Sequence, residues 1–80
     1  MTLRIPASTD SPALIHATAR EVLTPDQYRE ACYVAVRWSL TPGHWLCETP
    51  PAERTARVLR TQLSVLREYI GGALQPSEGG

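Results

Sequence analysis

The 80-residue chain has no lysine, and its eight arginines are balanced by eight Asp and Glu, so no net charge draws it onto nucleic acid or an anionic membrane. Any such binding needs a local patch. GC-rich coding alone is enough to produce an all-arginine composition, so that absence carries no functional weight. Two cysteines are too few for a disulfide framework and read as reduced thiols. No segment approaches the roughly 18 consecutive apolar residues of a membrane span, and lipidation patterns are missing. The opening MTLRIPASTDSP is interrupted by Pro6 and lacks the roughly 7–15 apolar residues of a signal peptide, which predicts a cytoplasmic protein. Gly-rich phosphate loops and carboxylates paired at catalytic spacing are also missing. No cofactor, metal or catalytic residue is therefore assigned.

What is present is a packing repeat. Ala52, Ala56, Leu59, Leu63, Leu66, Ile70 and Ala73 alternate in steps of four and three, which places them on one side of a helix. Val58, Val65 and Tyr69 widen this arc beyond a two-stranded seam, so the helix is expected to meet two neighbours. Leu59, Leu63, Leu66 and Ile70 are the predicted packing residues, of a monomer core or of a dimer seam. A chain of this length builds only a thin core, which favours a homodimer through the third helix.

The spacing predicts an all-α, compact three-helix bundle with helices over about 12–23, 25–40 and 50–71, forming one domain over 11–72. An extended N-terminal segment, 1–10, precedes it, and a disordered tail, 73–80, follows. Ser11 is the expected N-cap of the first helix, with Pro12 in its first turn. Thr24-Pro25-Asp26-Gln27 has the form of a capping box, and Leu23 with Tyr28 that of a hydrophobic staple. The apolar arc of the second helix is wide, which marks it as the central one. Thr41-Pro42-Gly43-His44 suits a type II turn, and Trp45 or Leu46 is expected to fold back as a plug. Thr49 is the expected cap of the third helix, which should stop at Gly71-Gly72.

Several constellations bear on chemistry. Cys32, His44 and Cys47, with His16 as a fourth group, include a His-x-x-Cys spacing found in zinc sites. Cys32 falls on an apolar arc and His16 on another helix, so a buried thiol is the preferred reading. Cys47 beside His44 lacks the third group and pocket that a nucleophile and base require. On the second helix Arg29, Tyr33 and Arg37 follow at i, i+4 and i+8, an aromatic between guanidinium groups of the kind enriched at binding hot spots. A simple Arg–Tyr surface ladder explains the same spacing. Arg54, Arg57, Arg60 and Arg67 make the third helix basic, but Glu53 and Glu68 interrupt the patch.

These observations predict a non-enzymatic protein acting by protein–protein contact, as a regulator, adaptor or inhibitor of a larger partner. Arg29, Tyr33 and Arg37 are the candidate partner-binding residues. The alternative is a nucleic-acid-binding regulator using the Arg/Tyr surface. A third expectation, from size and lack of motif alone, is an inhibitor of the type carried by phages and mobile elements, directed at a host or defence complex.

Overall fold

The computed structural model describes residues 5–7 and 9–74, and the rest of the expected tail, 75–80, lies outside the described residues. Among the described residues three helices are present: α1 (Pro12–Val22), α2 (Pro25–Ser39) and α3 (Pro51–Leu74). The Ser11 hydroxyl accepts the Leu14 N–H at 3.2 Å and supplies one of the partners that a helix start lacks. At the start of α2 the capping box closes on both sides. Thr24 Oγ1 accepts the Gln27 N–H at 3.1 Å, and Gln27 Oε1 accepts the Thr24 N–H at 3.0 Å. Leu23 and Tyr28 then enter one apolar cluster with Ile15, Ala19, Ala31, Val65, Leu66 and Ile70.

The central helix is α3, not α2 as its arc suggested. Both α1 and α2 pack on α3 far more than on each other. The second helix runs antiparallel to it, for Glu30 meets Tyr69, Cys32 meets Gln62, and the loop after α2 meets Arg54. Much of the apolar breadth of α2 is left half-buried at Val34 and Val36 or exposed at Trp38.

Helix α3 also outlasts its predicted stop, running through Gly71 and Gly72 to Leu74, so Ala73 and Leu74 belong to the helix instead of the tail. Gly71 is buried because the N-terminal segment lies across it. A Cβ on Gly71 would sit 3.3 Å from Ile5 Cδ1. Beside it, Arg67 Nε donates to the Pro6 carbonyl at 2.8 Å, and Pro6 is buried. The glycine thus serves a close approach within the helix and not a C-cap. The Asp10 carboxylate accepts the Ala7 N–H at 2.8 Å, which turns the segment into α1.

The loop between α2 and α3 follows its predicted turn. The His44 N–H donates to the Thr41 carbonyl at 3.1 Å, and Gly43 has φ 86°, the left-handed value that a type II turn demands of its third residue. Leu46 is the plug, fully buried, whereas Trp45 is half exposed. Thr49 is not the helix cap. Its hydroxyl donates to the Trp45 carbonyl at 3.1 Å, and the Pro50 carbonyl takes the first helical bonds, from Glu53 and Arg54. Arg54 closes the loop, its guanidinium donating to the Cys47 carbonyl at 2.9 Å and to that of Thr49 at 3.1 Å.

Candidate functional site

The 11 residues of α1 cover about 16 Å, whereas the 24 of α3 extend about 36 Å. The first helix therefore roofs only part of the third. Every buried residue of α3, namely Val65, Leu66, Ile70 and Gly71, lies in its C-terminal half. Ile15, near the start of α1, shares a recess with Arg60, Leu63, Ser64 and Arg67, which marks where that cover ends.

The predicted packing residues accordingly divide. Leu66 and Ile70 are wholly buried, Leu63 is half-buried, and Leu59 is 57% exposed. Leu66 and Ile70 thus belong to the core of the single chain, and Leu59 does not. Ala52 and Ala56, earlier in the same repeat, are exposed as well. The sequence shows the repeat but not its cover, and the clue it does hold is the difference in length between the first and third helices.

On α2, Tyr33 stands on the outer side at 56% exposure, with Arg29 and Arg37 also exposed. Arg29 pairs with Asp26 at 3.7 Å, and the Arg37 carbonyl accepts the Thr41 hydroxyl. The Arg–Tyr ladder does not form. Among the described residues the cation–π contact is Arg20 over Tyr28, 5.7 Å from the ring centre. Tyr33 is consequently an aromatic ring open to solvent, with Arg29 and Arg37 one helical turn before and after it along α2.

The α3 arginines separate in the same way. Arg54 and Arg67 are bound to backbone carbonyls, and Arg57 lies 3.9 Å from Glu53. Arg60 alone of these four has no hydrogen-bond or ion-pair partner among the described residues. Across the bundle the Tyr69 hydroxyl donates to Glu30 Oε2 at 2.9 Å. That bond to a carboxylate holds the Tyr69 phenol above its ordinary pKa of 10.0, with burial and the Glu30 charge adding to the rise and Arg37 opposing it.

The candidate metal ligands are not brought together: among the described residues no three His, Cys, Asp or Glu side chains form a group able to hold an ion. His16 Nδ1 is 2.7 Å from the Tyr28 hydroxyl. His44 Nδ1 accepts the Leu46 N–H at 3.1 Å. The same ring stacks on Trp38 with centres 5.2 Å apart and planes at 16°, and tilts toward Trp45 at 5.8 Å. This aromatic row, with Leu40 exposed just before it, has no periodicity that marks it as a unit in the sequence, because its members come from a helix and a turn. Cys32 and Cys47 are free and half-buried. No described helix is long and apolar enough to cross a membrane.

The arrangement offers apolar and aromatic contact at Tyr33, Trp38, Leu40, Trp45 and Leu59. No protein-family model, curated protein or solved structure matches the chain.

Proposed function

We propose that this is a non-enzymatic protein that works by protein–protein contact, docking on a larger partner as a regulator, adaptor or inhibitor and pairing with itself through α3. The observation that carries the reading is the exposure of Tyr33, Leu40, Trp45 and Leu59, each left more than half accessible by a chain with few apolar residues to spare. Such groups mark contact sites when they stand among polar neighbours. Tyr33, flanked by Arg29 and Arg37, is the partner anchor, because a rigid aromatic between donors fills a pocket and hydrogen-bonds its rim.

The nucleic-acid alternative is weakened by the same side chains that first suggested it. Of the α3 arginines, two are spent on backbone carbonyls and one lies beside Glu53, so a phosphate backbone meets little uncompensated charge. Affinity capture with the intact protein from lysate of its source cells tests the reading. The capture is expected to survive nuclease and to be lost in Tyr33→Ala, whose far-ultraviolet circular dichroism stays that of the wild type. Retention on heparin that falls steeply with salt, together with capture abolished by nuclease, favours the alternative.

A further inference from the structure

From the uncovered half of α3 we infer that it pairs with the same helix of a second copy in antiparallel register, crossing between Arg57 and Val58. The inference rests on the self-pairing part of the proposed function and specifies its geometry. Ala52, Ala56 and Leu59 form the exposed stretch of the repeat, and Leu63 stands half-buried at the edge of the α1 cover. An antiparallel crossing at that point sets Ala52 of one copy opposite Leu63 of the other, and Ala56 opposite Leu59. Each layer then joins one small and one large side chain, which lets the backbones approach while the leucines fill the space.

Charge fixes the same register independently. Glu53 follows Ala52 in the repeat and Arg60 follows Leu59, so both flank the seam on one side. In an antiparallel pair these equivalent positions face each other across the two-fold axis. Glu53 of each copy therefore meets Arg60 of the other, twice per dimer. Among the described residues Arg60 is the α3 arginine without a partner, and the existing Glu53–Arg57 pair is loose at 3.9 Å with both side chains about half exposed or more. The opposite flank is already used by α2, since Gln62 Nε2 donates to the Cys32 carbonyl at 2.7 Å. A parallel pairing instead stacks alanine on alanine and leucine on leucine, and sets Arg60 opposite Thr55. The recess beside Leu63, lined by Ile15, Arg60, Ser64 and Arg67, falls where the second copy's α3 begins, so its Pro51 end closes it.

Sedimentation equilibrium of the full chain from about 1 to about 300 µM decides the matter. The wild type is expected at the two-chain mass. Leu59→Glu should weaken pairing by about 100-fold or more with unchanged circular dichroism, because Leu59 is exposed in the single chain. Glu53→Arg and Arg60→Glu should each weaken it by about tenfold, and the double reversal should restore it. A one-chain mass throughout, pairing indifferent to Leu59→Glu, or a double reversal no tighter than either single change overturns the inference. Capture of a partner is read separately through Tyr33→Ala, so a wild type that is monomeric yet captures its partner refutes the pairing alone.

Discussion

Leu66→Ala and Leu59→Ala remove the same atoms from two positions of one helical repeat, and the structure separates their consequences. Leu66 has no solvent exposure and sits in the cluster formed with Ile15, Ala19 and Ile70. Deleting its isobutyl branch forfeits the full transfer term and leaves a cavity that neighbours on three helices cannot collapse, at a cost of about 3–5 kcal/mol. In a domain of this size each kcal/mol moves the midpoint by about 4–8 °C, so the variant should melt at least about 10 °C below wild type. Leu59, more than half exposed, has little to lose in the single chain, and its substitution should cost less than about 1 kcal/mol at concentrations low enough for the wild type to be unpaired. Thermal unfolding followed by circular dichroism measures both. Raising the protein concentration should widen the gap between wild type and Leu59→Ala, because pairing stabilises only the former. Equal midpoints for wild type and Leu66→Ala, or a Leu59→Ala loss as large as that of Leu66→Ala at low concentration, refute the division of α3 into covered and open halves.

Gly72→Ala should raise stability by roughly 0.5–1 kcal/mol, since the helix continues through this residue and an added Cβ meets nothing within 4 Å; chemical denaturation reads the gain. Tyr69 has a raised folded-state pKa, so its contribution is present below pH 10 and is lost as the pH climbs through the higher folded value. Wild type should accordingly lose its advantage over Tyr69→Phe in unfolding measurements above that pH. Arg54→Ala removes the donors that hold the carbonyls of Cys47 and Thr49, and hydrogen exchange should show faster opening of the loop around Leu46 with little change in α1. Tyr33→Ala should weaken partner capture by about 2 kcal/mol or more with the melting point unmoved.

Local chemistry is what the sequence displays most plainly. Ser11, Thr24 with Gln27, and Pro42-Gly43 act over three or four residues, and each forms the cap or turn that its side chain or backbone freedom dictates. Non-local decisions are less visible. Gly71-Gly72 has the form of a stop, yet Ile5 and Pro6, more than sixty residues away, give a buried glycine a packing reason to remain helical. Thr49 looks like a cap, but Pro50 stands between it and the helix, and its hydroxyl turns to Trp45. The repeat on α3 is evident from spacing, whereas its division at Leu63 depends on how far α1 reaches. Arg54 and Arg67 likewise read as surface charge because their carbonyl partners belong to loops whose path no periodicity encodes.

A distance between copies shows whether α3 completes its seam with an antiparallel second copy. A nitroxide at Glu68→Cys, an exposed position, in a background of Cys32→Ser and Cys47→Ser, reports it by pulsed dipolar spectroscopy. Crossing between Arg57 and Val58 separates the two labels by about 30 Å along the helix axis alone, so a narrow distribution beyond about 30 Å is expected. A distribution near about 20 Å or shorter, as from outward-pointing labels on level helices whose axes lie about 8–10 Å apart, or the absence of dipolar coupling at high concentration rules that crossing out.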